Sequence, residues 1–377
     1  MKTDLSPKCI QKINETIILW FQRSNRYIIV SESIYTLINL FLNTDNKVDF
    51  IKTLFETTEI GNERCEELYL EISNFLEDAN AQSDEDHYLH SLQEIPKANI
   101  ERTYNFDGKL IRINFQSERI ESLIHPQITH HLTHHTTSFD AEFDIFKTLD
   151  TLYLFKNKSF VGSYNTQSFH LLQGKFALEL TNTIHNTQLN KWIATFHAST
   201  ITNNSEAIMI IGDSGNGKST LSALLMAHGF DLLADDFTPL YEDMNLYRYP
   251  SAISIKKGAF SLLESKISDF NSLKIHTNGP KKVNLKYLPQ NQNANSKTSH
   301  FPCNKIVYVK FDKTKQSELN PISVEKILKT LIPDSWISPN EVHALSFLNW
   351  LKQVQCYELR YSDNDFAMTK FKTLFNL

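Results

Sequence analysis

Eight consecutive residues, Gly212-Asp213-Ser214-Gly215-Asn216-Gly217-Lys218-Ser219, have the types and spacing of a loop that cradles phosphate. They satisfy the pattern G-x-x-x-x-G-K-[ST]. In such a loop the glycines let the backbone curl so that successive N–H groups turn inward, and the helix that follows adds its positive end. Lys218 would bring a point charge to the β- and γ-phosphates, and the Ser219 hydroxyl would serve Mg²⁺, with Thr220 next at the helix start. A second group follows downstream. Phe230-Asp231-Leu232-Leu233-Ala234-Asp235-Asp236 is an apolar strand that ends in two carboxylates. In phosphate-loop proteins an acidic residue at such a strand end holds Mg²⁺, directly or through water. Two adjacent carboxylates permit a division of labour, one serving the metal and the other taking a proton from an attacking hydroxyl. Two like charges beside a phosphate resist joint ionisation unless a cation lies between them. Without the loop upstream, the same Asp-Asp pair would read as a solvated turn.

The elements that must hold these residues are legible around them. Ala207-Ile208-Met209-Ile210-Ile211 is a β-branched, apolar run that ends where the loop begins. Thr220, Leu221, Leu224 and Leu225 recur at helical spacing, and Gly229 closes the pattern. Strand, loop and helix in that order turn a pattern match into a mechanism. The chain has 377 residues, 41% hydrophobic content and a net charge of −5. That length leaves room for two or more domains with real cores. The slight acidity, with no basic stripe, argues against nucleic acid as the main partner. Cys9, Cys65, Cys303 and Cys356 are scattered with no C-x-x-C, as in a reduced, cytoplasmic protein. The first ten residues contain no signal-peptide core, and no apolar run approaches the ~20 residues of a membrane span.

Two short strands are expected at the start, Thr16–Phe21 and Tyr27–Val30, around the polar turn Gln22–Arg26. Ser31 can cap a helix in which Ile34, Leu37, Ile38 and Phe41 share a face, and two further helices follow near 48–55 and 62–77. Ala79 to Asn99 is polar and acidic and reads as a linker. Residues 100–200 look strand-rich, with an Asp107-Gly108 turn, a hairpin around Lys156-Asn157-Lys158, and strands at 192–196 and 200–202. Among them lie His125, His130, His131, His134 and His135. His131 and His135 have the i, i+4 spacing of a helical metal site, but no acid completes H-E-x-x-H, so a solvated helix end or loop is expected. Asn291–Ser299 reads as a polar loop. Strands near 305–311 and 356–361 and helices near 324–331, 347–354 and the C-terminus complete one continuous domain. The fold class expected is α/β with α+β elements.

His197, the loop Gly212–Ser219 and Leu232-Leu233-Ala234-Asp235-Asp236 together resemble the HPr kinase/phosphorylase-like serine kinases. That family carries a histidine, a loop of the form G-D-S-G-x-G-K-S, a helix, and then L-x-A-D-D. The intervals agree as well, fifteen residues from His197 to Gly212 and seventeen from Ser219 to Asp236. The resemblance implies a domain related to phosphoenolpyruvate carboxykinases, with a mixed sheet carrying the loop. It also implies ATP and Mg²⁺ as cofactors and a serine-type hydroxyl as acceptor. Carried over by position, Asp236 is the base, Asp235 its acidic neighbour at the metal, Ser219 a metal ligand, Lys218 the phosphate-holding lysine and His197 the active-site histidine. The chain departs from the HPr enzymes at Thr220, where they have glutamate. It departs again at Pro250–Gly258, where they have a glycine-rich segment with a metal-holding glutamate. In this it looks more like the diverged relatives found with peptide-modifying gene clusters, lasso-peptide kinases included. HPr as substrate and the reverse, phosphorylase reaction are therefore not expected, while the hexamers of the HPr enzymes suggest a homo-oligomer. Cations for the transferring phosphoryl group would come from Lys256, Arg248, Lys281 or Lys282, and Lys256 is favoured because it ends an apolar strand ahead of a glycine.

The stretch from Phe21 to Phe41, F-x-x-S-N-x-Y-I-I-V-S-E-S-I-Y-x-L-I-x-L-F, resembles the PqqD-like winged-helix modules. The resemblance implies that a leader peptide is bound as an added strand beside the hairpin. The expected organisation is thus a PqqD-like domain over 1–82, a linker over 83–99 and a kinase domain over 100–377. It would act on a peptide or protein, such as a precursor peptide. A small-molecule kinase on the same fold and a non-catalytic, ATP-gated peptide-binding protein are the alternatives.

Overall fold

The run Thr16-Ile17-Ile18-Leu19-Trp20-Phe21 does not alternate between polar and apolar residues, which is the pattern of a strand covered on both faces. In the computed structural model, which describes residues 2–82, 95–134, 136–278, 283–290 and 298–377, every residue of this strand is buried. It is the central member of a three-stranded antiparallel sheet in the order Cys9–Ile13, Thr16–Phe21, Arg26–Val30. The first strand was not expected from the sequence, because Gln11 and Lys12 interrupt its apolar character. Its connection is the two-residue turn Asn14-Glu15, where Asn14 takes φ 52° in place of the usual glycine. Helices Glu32–Asn43, Lys47–Thr57 and Asn62–Asn80 follow. The first begins as expected, with the Ser31 hydroxyl accepting from the Ile34 N–H at 3.3 Å. Ile17, Leu19, Phe21 and Val30 share a core with Ile38, Phe41, Phe50, Leu54, Ile72 and Leu76.

The chain divides into two compact units. The first contains residues up to Glu85 and also Ser323–Ile332 and Trp336–Gln353. The expected assignment of all of 100–377 to one domain therefore gives up two helices, Val324–Leu331 and Glu341–Gln353. The reason is the doubly apolar central strand. Helix Glu341–Gln353 packs against the Cys9–Ile13 side of the sheet. Its fully buried Phe347 meets the Tyr27 ring edge-on at 5.4 Å, and Tyr27 in turn packs against Trp20. The Asn25 side chain fixes the hairpin turn, accepting from the Trp20 indole at 2.9 Å and donating to the Ile337 carbonyl at 2.7 Å.

The second unit holds Asp86–Ile322, Pro333–Ser335 and Val354–Leu377. It is a mixed α/β assembly of several sheets. Strands Leu132–Thr133, Ile100–Phe106, Lys109–Phe115, Ala141–Thr148, Thr151–Lys156 and Ser159–Asn165 form one sheet in that order. Asn157 and Lys158 both take positive φ in the expected hairpin. The strand-rich expectation for 100–200 omits a helix, Phe169–His185, whose Leu172, Phe176 and Leu180 form an i, i+4, i+8 stripe buried against this sheet. In the second sheet, Asp231–Ala234, Ser199–Thr202, Ala207–Ile211 and His300–Phe311 are successive neighbours. The first two pairings are antiparallel and the third is parallel. His300–Phe311 also pairs in parallel with Gln355–Tyr361. A small sheet, Ile253–Lys256, Val283–Leu288 and Ile275–Asn278, completes the unit. Most of the expected linker, residues 83–94, and most of the loop 291–299 lie outside the described residues. All four cysteines are buried and none is joined in a disulfide, and no described helix is long and apolar enough to cross a membrane.

If helix Glu341–Gln353 supplies the second cover of the N-terminal sheet, Phe347→Ala should cost the first unit about 3–5 kcal/mol, the usual range for emptying a buried phenylalanine site. Hydrogen exchange should then show loss of amide protection along Thr16–Phe21.

Candidate functional site

The loop Gly212–Ser219 joins strand Ala207–Ile211 to helix Lys218–Ala227, as its sequence context requires. Gly215 and Gly217 sit at φ 93° and 88°, a region that favours glycine. Gly212, at φ 153°, is excluded from carrying a side chain for a second reason, since a Cβ there would lie 2.6 Å from the Val309 carbonyl oxygen. The neighbouring strand His300–Phe311 braces the loop. The Tyr308 hydroxyl donates to Asp213 Oδ2 at 2.7 Å, Asn216 Nδ2 donates to the Tyr308 oxygen at 3.3 Å, and the Phe311 N–H donates to the Asn216 carbonyl at 3.2 Å.

Lys218 is 7% exposed, and its ammonium donates to the Gly212 carbonyl at 2.6 Å, tying the two ends of the loop together. Among the described residues that carbonyl is its one hydrogen-bond partner and no carboxylate pairs with it. A buried ammonium without a counter-charge is costly, and here it stands at the N-terminus of a helix, where an anion is favoured.

The two aspartates after strand Asp231–Ala234 have opposite surroundings. Asp235 is 2% exposed. Its Oδ1 accepts from the Ser199 hydroxyl, its Oδ2 accepts from the Ser254 N–H at 3.3 Å, and the Ser219 hydroxyl lies 3.4 Å from both oxygens. Burial, and after it the neighbouring Asp236 charge, push the Asp235 carboxyl above the ordinary aspartate range, while the three donors pull it back. Asp236 takes φ 60° and turns the other way, with its side chain about half exposed. A non-glycine residue in the left-handed region is uncommon and concentrates at functional sites. His197 Nε2 lies 3.7 Å from Asp236 Oδ1. The chain between His197 and Ser199 is pinned from the side by the Thr238 hydroxyl, which donates to the Ala198 carbonyl at 3.0 Å and lies 2.9 Å from Thr200 Oγ1.

Strand Ile253–Lys256 runs past both halves. Its Ser254 N–H reaches Asp235, and its Lys256 ammonium reaches the Ser214 hydroxyl at 3.5 Å. Of the four expected cations, Lys256 is thus brought to the loop. Arg248 is not. It forms an ion pair with Asp231, at the far end of the strand from Asp235, and donates to the Leu232 carbonyl as well. Lys281 and Lys282 lie outside the described residues. Thr220 is partly buried in the first turn of the loop helix.

His125, His130 and His131 are drawn out of solvent, against expectation, while His134 is exposed. The His130 ring lies tilted against His131, with centroids 4.1 Å apart, and burial lowers His130 to about 3. His131 Nε2 hydrogen-bonds the Pro250 carbonyl at 2.9 Å, and His125 Nδ1 hydrogen-bonds the Tyr104 hydroxyl at 2.8 Å. Residues 132–133 form a strand, so His131 does not begin a helical turn towards residue 135, and His135 lies outside the described residues. The segment has a bracing role. Its Gln127 carbonyl accepts from the Ala252 N–H at 2.7 Å, next to Ser251, whose hydroxyl donates to the Asp235 carbonyl at 3.5 Å.

Among the described residues no group of three or more His, Cys, Asp or Glu side chains is placed to hold a metal ion. The set at the loop is different, one hydroxyl and one buried carboxylate beside a place for phosphate. That donor set fits Mg²⁺, which prefers one or two protein oxygens with substrate phosphates and waters. Sequence reading missed Ser199, Ser254 and Tyr308, since nothing in their local pattern separates them from ordinary strand residues.

No protein-family model matches the chain, and no curated protein matches it. Among solved structures the chain is similar to the Hpr(Ser) kinase/phosphatase from Coxiella burnetii, at 12% identity, over 48% of this chain and 94% of that one, with a TM-score of 0.23. At that score the site itself is the ground for a functional reading.

The placement of Arg248 yields an expected outcome. Arg248→Ala leaves Asp231 buried without its partner, so it should cost about 3–5 kcal/mol of stability. The affinity of the folded protein for nucleotide should stay at the wild-type level. Urea denaturation and a nucleotide titration on the same variant check the two halves of this statement.

Proposed function

We propose that this chain is an ATP- and Mg²⁺-dependent kinase that transfers the γ-phosphoryl group to a serine-type hydroxyl of a peptide or protein. The observation that carries the reading is the pairing of unmet charges. Among the described residues no carboxylate pairs with buried Lys218 and no cation pairs with buried Asp235, whose oxygens lie 3.4 Å from the Ser219 hydroxyl. A magnesium-nucleotide complex supplies the missing anion to one and the missing cation to the other.

In this reading the loop and Lys218 bind the β- and γ-phosphates, and Ser219 and Asp235 would hold the metal. Mg²⁺, when bound, neutralises charge on the phosphate oxygens. Asp236, half exposed beside His197, accepts the proton of the incoming hydroxyl. The hydroxyl oxygen forms its bond to the γ-phosphorus as the bond from that phosphorus to the bridging oxygen of ADP breaks. His197 stands beside Asp236 and orients it or the acceptor. Lys256, already at Ser214, is the cation placed to meet charge on the transferring group. The first unit would hold the substrate. The outer strands of its sheet, Cys9–Ile13 and Arg26–Val30, each have a flank with no strand partner among the described residues. An extended peptide could add there, in the manner of PqqD-like modules, and so raise its own concentration at Asp236. A cytoplasmic setting and a homo-oligomeric state belong to this proposal.

Transfer from γ-labelled ATP to serine-containing peptides tests it. Asp236→Asn should lower the rate by about 10²–10⁴-fold, the usual worth of a general base, with ATP affinity retained. Lys218→Ala should weaken ATP binding itself. Full transfer activity in Asp236→Asn would refute the base assignment. Nucleotide binding by a wild-type protein that transfers nothing to any peptide would favour the ATP-gated binding protein.

A further inference from the structure

Ser199 is an unexpected residue for its position. It begins strand Ser199–Thr202, in register with Ile210 on the loop strand and next to the Thr200–Ala234 pair on the carboxylate strand. Side chains alternate along a strand, so Ser199 shares a face with Ile201. Ile201 lies in the apolar core with Ile208, Ile210, Leu221 and Leu224. Ser199 is itself fully buried. An apolar residue would continue that face, and a buried hydroxyl there is costly unless it is bonded. Its bond goes to Asp235 Oδ1.

We propose that Ser199 is a positioning residue for the metal half of the site, one that holds the Asp235 carboxylate in the rotamer from which it accepts the Ser219 hydroxyl. This rests on the reading of Ser219 and Asp235 as the metal-holding pair. A carboxylate offers about four lone-pair positions. Ser199 takes one on Oδ1, the Ser254 N–H takes one on Oδ2, and the Ser219 hydroxyl faces both oxygens. With its proton directed to Asp235, the Ser219 oxygen presents its lone pairs elsewhere, towards a cation. Remove the Ser199 hydroxyl, and Oδ1 loses its firm donor. The carboxylate can then rotate, and the Ser219 hydroxyl loses its fixed direction. Ser199 touches neither phosphate nor acceptor, so its effect should fall on the metal and not on the nucleotide.

The experiment compares wild type, Ser199→Ala, Ser199→Thr and Asp235→Asn in the full chain. Mn²⁺ binding is followed by electron paramagnetic resonance in the presence of β,γ-imido-ATP, and the affinity for β,γ-imido-ATP is measured separately in EDTA. Partners behind a metal ligand are typically worth 10–100-fold in metal affinity, so Ser199→Ala should weaken Mn²⁺ binding by about 10-fold or more. Its metal-free nucleotide affinity should match wild type, and Ser199→Thr, which keeps the hydroxyl, should restore Mn²⁺ binding. Wild-type Mn²⁺ affinity in Ser199→Ala, with Asp235→Asn impaired, would overturn the role of Ser199 and leave the metal pair standing. An equal loss of metal-free nucleotide affinity in Ser199→Ala would make Ser199 a support of the loop as a whole and overturn the proposal. Wild-type Mn²⁺ affinity in Asp235→Asn would overturn both.

Discussion

The site depends on keeping one carboxylate out of water. Asp235 is ringed by two serine hydroxyls and a backbone N–H, and burial raises its proton affinity even against those donors. Such a group is satisfied only in part by neutral donors, because an ionised carboxylate loses far more hydration than hydrogen bonds of this kind return. Lys218 faces the mirror problem, a buried ammonium resting on one carbonyl. The two charges are not allowed to solve each other's problem, since the loop holds the ammonium on Gly212 while Ser199 and Ser254 hold the carboxylate. A framework that spends stability on keeping opposite charges apart is prepared for a ligand that carries both signs. On the proposed reading, phosphate and metal arrive as that ligand.

Strand order makes the separation possible. Neighbouring strands lie about 4.8 Å apart. Ser199–Thr202 is inserted between the loop strand and the carboxylate strand, so the two halves of the site start two strand spacings apart. The first turn of the helix after the loop crosses that gap with Ser219, and the intervening strand begins with Ser199. In this arrangement the inserted strand does more than fill the sheet. Its first residue is the natural place for a group that sets the geometry between the halves, and the turn before it carries His197. The hydroxyls of Thr200 and Thr238 fix that turn, so positions on either side of Ala198 serve the two carboxylates separately, His197 for Asp236 and Ser199 for Asp235.

Much of this was legible before the structure. The loop, its strand and its helix are local, and local features follow from glycine placement and apolar periodicity. The Asp235-Asp236 pair was also visible, but not the contrast between its members, because burial comes from strands distant in sequence. Arg248 and Lys256 illustrate the limit. Both lie at the ends of short strands, Arg248 just past Asn245–Tyr247 and Lys256 closing Ile253–Lys256, and only pairing partners separate them, Asp231 for one and Ser214 for the other. The histidines around 125–135 looked polar and therefore solvated. The rings of His125 and His131 instead pack on Tyr104 and Phe106, and His131 bonds the Pro250 carbonyl, which no count of histidines could reveal.

The N-terminal sheet carries the last lesson, and it concerns boundaries. Thr16–Phe21 is apolar along its whole length, and a strand in a small hairpin-plus-helices module needs only one apolar face. The other face had to be covered by something, and helices Glu32–Asn43 to Asn62–Asn80 account for one side only. The cover is Phe347 and its helix, more than three hundred residues later in the chain. A unit assembled from both ends of the described sequence cannot be cut away at residue 82 without exposing Phe347 on one piece and Trp20 and Tyr27 on the other. The run of six buried residues was therefore already a statement about domain organisation. Its missing alternation says that the first unit includes 323–332 and 336–353 as surely as it includes the hairpin.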